Sequence, residues 1–128
     1  MTKFEFFRTM CVREVNLVTR YTAYRTGYPM KNGGRTHAGF IYTLTGTETY
    51  RFSDRAISSP PGTLLYIPRG EKYTIDFHEE KSVVIAFDFE LAETGDVRPF
   101  CINLSKESSV RTHFFRCGVQ AVAKATRK

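Results

Sequence analysis

Residues Gly62 to Phe77, GTLLYIPRGEKYTIDF, read as strand, turn, strand. Thr63 to Ile67 is a short apolar run bounded by turn residues, the pattern of a strand with both faces covered. Pro68-Arg69-Gly70-Glu71 then turns the chain. Proline presets φ and glycine reaches positive φ without a steric cost. Tyr73 to Phe77 follows with alternating character, so successive side chains fall on opposite faces.

The same grammar extends outward in both directions. Ser58-Ser59-Pro60-Pro61-Gly62 is a turn. Gly39 to Thr45 (GFIYTLT) reads as a strand, and Glu48 to Phe52 (ETYRF) as its hairpin partner around Thr45-Gly46-Thr47. Lys31-Asn32-Gly33-Gly34 is a loop. Arg20 to Tyr28 is rich in Tyr and Thr, and Val83 to Phe89 alternates. Short strands spaced by about ten residues with such turns predict an antiparallel sandwich or barrel. After Ser105, a candidate N-cap, the period changes: Val110, Phe114, Cys117, Gly118, Ala121 and Val122 share one helical face. The expected fold is a mainly β barrel followed by one C-terminal amphipathic helix.

Composition narrows the function. The 128 residues amount to one domain, with 41% hydrophobic, 14% aromatic and 25% charged residues, enough to bury a core without staples. No apolar stretch approaches the roughly 18–20 residues of a membrane span. Lys3, Glu5 and Arg8 interrupt the first ten residues, so no signal-peptide core is read there. Cys11, Cys101 and Cys117 are odd in number and widely spaced, which argues for reduced cysteines in a cytoplasmic protein. The net charge of +6 divides into +5 over residues 1–35, −5 over 36–96 and +6 over 97–128. An acidic centre with basic ends reads as solvated surface before it reads as a nucleic-acid footprint. There is no nucleophile elbow, no P-loop and no Gly-x-Gly-x-x-Gly run.

Gly62, Pro68 and Gly70 match the second cupin motif at every position but the last, where Tyr73 replaces a metal-binding His. Arg35-Thr-His37, Phe40-Ile-Tyr42-Thr-Leu44-Thr-Gly46 and Tyr50-Arg-Phe52 follow in order, then Ile85-Ala-Phe87 and Arg98-Pro-Phe100. Together these resemble the N-terminal sensory domain of AraC-type transcription regulators over about residues 15–125. The resemblance implies a cupin-like double-stranded β-helix, a jelly-roll barrel that binds a small-molecule effector. It divides the chain into a barrel with an N-terminal arm over 1–104 and the start of a dimerisation helix over 105–128. It also implies a homodimer formed through that helix. DNA would be bound only through a helix-turn-helix domain absent from this chain.

The resemblance also indicates which cupin chemistry is missing. It would place a Glu ligand at Gly39 and two His near Asn32 to Arg35, and none stands there. No metal, cofactor or catalytic residue is therefore expected, and the reading is not that of an enzyme. A metal-dependent cupin dioxygenase or isomerase, or a ligand-free oligomerisation module with a filled barrel, are the rival readings. For the effector, a sugar or a small acid, the resemblance singles out Arg35, whose planar fork suits hydroxyls or a carboxylate. Its replacement by Ala is expected to weaken binding with little loss of stability. His37 could add a donor or acceptor from the same edge. If Gly39 and Tyr73 face inward, alternation adds Ile41, Thr43, Thr45, Ile75 and Phe77 to the interior and puts Phe40, Tyr42 and Leu44 outside. The binding set is thus Arg35, His37, Ile41, Thr43, Thr45, Tyr73 and Ile75. Phe4, Phe6 and Phe7 are expected to form an arm over the barrel mouth.

Overall fold

The computed structural model describes residues 5–6, 9–25, 28–92 and 97–104. Nine strands run through them: β1 (Val12–Tyr24), β2 (Met30–Asn32), β3 (Ala38–Thr45), β4 (Glu48–Arg51), β5 (Ala56–Ser59), β6 (Thr63–Ile67), β7 (Tyr73–Phe77), β8 (Lys81–Leu91) and β9 (Phe100–Asn103). They form two antiparallel sheets, one in the order β1-β8-β3-β6-β9 and one in the order β2-β7-β4-β5. The fold is mainly β and cupin-like. The helix expected over 105–128, with Cys117, lies outside the described residues, as do Phe4 and Phe7.

The deciding stretch folds as its pattern requires. Strand β6 is buried at all five positions and lies inside its sheet between β3 and β9. Leu64 and Tyr66 enter an outer cluster with Phe6, Phe40, Phe89, Phe100 and Ile102. Leu65 and Ile67 enter an inner cluster with Ile41, Tyr50, Phe52, Tyr73, Ile75 and Val84, contributed by both sheets. Each fully buried Leu or Ile stabilises the fold by about 1.5–3 kcal/mol relative to exposure. Phe40 lies on the outer side and Ile41 on the inner, as alternation predicts.

Connectivity departs from the sequence reading. Strands β3 and β4 do not form a hairpin: β3 pairs with β6 and β8, whereas β4 pairs with β5 and β7. Gly46, at φ 83°, turns the chain from one sheet into the other. A Cβ there would collide with Ser82 of β8, so the corner also needs glycine for space. A register shift between Thr43 and Thr45 bends the end of β3 toward that corner. Burial explains the choice. Ile41 and Tyr50 both belong to the core between the sheets, which a crossing satisfies by facing the two strands across it.

Three strands lie where loops or turns were read, or where no strand was assigned: β2, β5 and β9. Each is three or four residues long; β2 and β9 pair with the distant β7 and β6, and β5 forms a hairpin with β4. Strand β1 begins at Val12, eight residues before the sequence pattern suggested, because β8 templates it along its length.

Of the three N-terminal aromatics, Phe6 is described, and it packs on a different surface from the one expected. Phe6 is 4% exposed and packs on the outer face of the five-stranded sheet. Its ring centroid lies 4.7 Å from that of Tyr66 and 6.0 Å from that of Phe100.

Candidate functional site

Between the two sheets lies a cavity of about 270 Å³ that opens at the seam between the edge strands β1 and β2. Leu17, Thr19 and Tyr21 line it from β1, at alternate positions of one face. Met30, Lys31 and Asn32 line it from β2, Ile41 from β3, Tyr73 and Ile75 from β7, and Ala86 and Asp88 from β8. Arg35, in the turn between β2 and β3, completes the wall. The lip is apolar and open to solvent: Leu17 is 53% exposed and Met30 49%.

Arg35 organises the polar end. Its Nε donates to the carbonyl of His37 at 3.0 Å. One terminal nitrogen donates to the Tyr73 hydroxyl at 3.2 Å, and the other makes an ion pair with Asp88 Oδ1. The backbone holds the turn as well: Arg35 N–H donates to Glu71 O at 2.9 Å, and Gly70 N–H donates to Arg35 O at 2.8 Å. The β2–β3 turn is thereby tied to the β6–β7 turn. Burial works against the Arg35 charge, but the Tyr73 oxygen and Asp88 carboxylate outweigh it, and the pKa rises. Asn32 Nδ2 donates to Tyr73 at 3.4 Å, while its Oδ1 accepts the Gly34 N–H at 3.0 Å, which fixes the amide orientation.

Gly39 makes this arrangement possible. It lies opposite Asp88 in the β3–β8 ladder. A Cβ at that position would run into the Arg35 guanidinium and come within 2.6 Å of the Phe87 carbonyl oxygen.

Four of the seven residues read from the sequence meet at the cavity: Arg35, Ile41, Tyr73 and Ile75. Three lie elsewhere. His37 gives Arg35 its carbonyl, but lines a second cleft on the other side with Tyr66, Arg69, Phe89 and Glu90. Its Nδ1 is 3.1 Å from Thr36 Oγ1. Thr43 faces inward but is fully buried, donating to Glu48 Oε2 at 3.0 Å, with Ser59 Oγ 3.3 Å away. Thr45 is exposed at the end of β3, where the register shift has turned it out.

The pattern reading missed Asp88, Asn32 and the β1 face. Asp88 carried a signal: Val84, Ala86 and Asp88 share one face of β8, and a carboxylate in that apolar row requires a partner. Asn32 and the β1 residues had no such signal, since their position depends on pairing with β7 and β8.

A second polar group lies deeper in the core. Glu48 is fully buried and its Oε1 has no hydrogen-bond partner among the described residues. Burial pushes its carboxyl up to about 7, against the opposing pull of the Thr43 hydrogen bond. Beyond Thr43 the hydroxyls continue from Ser59 to Thr63 at 2.8 Å, and Thr63 donates to Pro60 O at 2.5 Å. Among the described residues no three His, Cys, Asp or Glu side chains converge as a metal site, and Cys11 and Cys101 are not joined in a disulfide.

A family model described as the AraC-like ligand binding domain matches residues 16–127. The chain belongs to that family. The AraC-like match makes this a ligand-binding domain rather than an enzyme. No curated protein sequence matched the chain. Among solved structures, unsaturated fatty acid-bound ToxT from Vibrio cholerae superposes with a TM-score of 0.53 at 12% identity, over 77% of this chain and 46% of that one. An apo ToxT variant gives 0.50 at 12% identity, over 78% and 48%. EutQ from Clostridium difficile gives 0.50 at 18% identity, over 57% and 55%. At these identities the likeness shows the AraC-like chain's fold alone. The chain spans about half the length of these structures.

Proposed function

We propose that this chain is the effector-sensing and dimerisation part of an AraC-type transcription regulator acting in the cytoplasm. The observation that carries the reading is the cavity between β1 and β2, with a charged but internally paired Arg35 at its polar end. A structural module with no ligand would fill that space with side chains. Instead Leu17 and Met30 stand open at its lip. Arg35, Tyr73, Ile41 and Ile75 form the binding set, joined by Asp88 and Asn32.

Effector binding biases the protein by differential affinity for two arrangements. Arg35 is suited to that coupling, because it joins the β2–β3 turn to β7 and β8 in one hydrogen-bonded unit. In the complete regulator, residues 1–104 make a barrel around the effector, and the helix over 105–128 pairs two copies. A DNA-binding domain outside this chain then reads the operator. No helix among the described residues is long and apolar enough to cross a membrane.

Native mass spectrometry of the protein as purified tests the reading. A retained small organic molecule, lost in Arg35→Ala, supports it. Stoichiometric binding of a transition metal in place of an organic ligand would replace it with an enzymatic one.

A further inference from the structure

The hydrogen-bond state of the cavity's polar end specifies the class of ligand group it takes. Tyr73 is 5% exposed and its hydroxyl oxygen accepts from Arg35 and Asn32. Its own proton reaches no acceptor among the described residues. Asp88 uses Oδ1 for Arg35, and no second partner among the described residues engages its carboxylate. One unused donor and one unused acceptor are thus held on the two terminal nitrogens of a single guanidinium. A ligand that displaces solvent from this pair loses affinity unless it replaces both hydrogen bonds, so the pair selects for a ligand that completes it.

The charge balance points the same way. Arg35 and Asp88 cancel each other. Met30 and Asn32 face inward opposite Ile75 and Tyr73, so Lys31, opposite Thr74, stands on the other face of β2. Lys31 borders the cavity, but alternation along β2 turns its ammonium away from Tyr73 and Asp88, so the cation at the polar end among the described residues is the ion-paired Arg35. A carboxylate placed there would lie beside the Asp88 carboxylate and has no hydrogen to donate to it.

Resting on the sensor reading above, we propose that the cavity takes an uncharged small molecule whose polar end both donates and accepts. A hydroxyl or primary amide qualifies, and a carboxylic acid does not. The group accepts the Tyr73 proton and donates to Asp88, while its apolar body lies against Ile41, Ile75 and Leu17. The volume, about 270 Å³, falls below the roughly 300 Å³ at which drug-sized pockets begin, which limits the ligand to metabolite size.

Saturation-transfer NMR on the whole chain at pH 7 tests this with matched probe pairs: benzamide and benzoate, butyramide and butyrate, glucose and glucuronate. The uncharged member of each binding pair is expected to bind about ten-fold tighter or more, the effect of one close like-charge contact. Tyr73→Phe should remove most of that binding. Asp88→Asn should bring the carboxylates level with their neutral partners, a gain that misfolding cannot imitate. Carboxylates that bind the wild-type protein as well as or better than their neutral partners overturn the head-group class and leave the sensor reading standing. Failure of every probe to bind overturns both.

Discussion

The guanidinium of Arg35 occupies the volume that a side chain at Gly39 would need. In the metal-binding cupin pattern, position 39 is where a carboxylate ligand would stand. Here Gly39 leaves room that the Arg35 guanidinium fills. The cation also donates to the Tyr73 hydroxyl, which stands at another of the positions where that pattern has a ligand. Gly39→Ala should displace Arg35 and crowd the Phe87 carbonyl, costing about 1–3 kcal/mol of stability. Urea unfolding measures the cost, and loss of retained ligand measures the displacement.

Arg35→Ala tests both binding and stability. The sequence reading expected little stability loss, but Arg35 is half-buried and makes three side-chain bonds. Its removal strands Asp88 beside apolar Ala86 and Ile41. A double-mutant cycle of Arg35→Ala with Asp88→Ala should give a coupling of about 1–3 kcal/mol. A coupling near zero would show that the ion pair contributes no more than an exposed one.

Glu48 predicts an inverted pH dependence. Its carboxyl is pushed up to about 7 in the folded protein, against an ordinary value of 4.5. The folded state therefore binds the extra proton between these values. The associated stability is complete below about pH 4.5 and is lost as pH rises through about 7, amounting to about 3 kcal/mol. Glu48→Gln should flatten this slope while keeping the Thr43 contact. Denaturant midpoints at pH 5 and pH 8 check it: the wild-type difference should shrink in the variant.

Phe6 anchors the N-terminal segment to the outer face of the large sheet, against Tyr66 and Phe100. Phe6→Ala should lower stability by about 1–3 kcal/mol, the loss being limited by local detachment of the segment. It should leave ligand affinity nearly unchanged, because Phe6 does not line the cavity. Thermal unfolding with calorimetric ligand titration separates the two.

Much of the local structure is legible in the sequence. Gly62 to Phe77 states two strands and a turn, and β6 and β7 take those boundaries. Alternation also divides β3 into inner and outer faces, sending Phe40 and Ile41 to different clusters. These features depend on residues near one another in the chain, through period-two geometry and turn stereochemistry. The resemblance to the AraC sensory domain rests on the same motifs in order.

Tertiary structure alone decided which strands became neighbours. Gly46 reads equally well as a hairpin turn or a corner, and only core burial between two sheets selects the corner. The same holds for the site. Arg35 was visible as a candidate, but its partner Asp88 is 53 residues away in the chain. Whether a cation is free to bind an acid or already neutralised depends on contacts formed after the sheets assemble. His37 and Thr45 show the converse. Their residue types suit a binding role, yet the turn leading into β3 and the register shift at its end carry them away from the cavity. Side-chain chemistry is written residue by residue; its convergence is set by long-range pairing that local patterns do not encode.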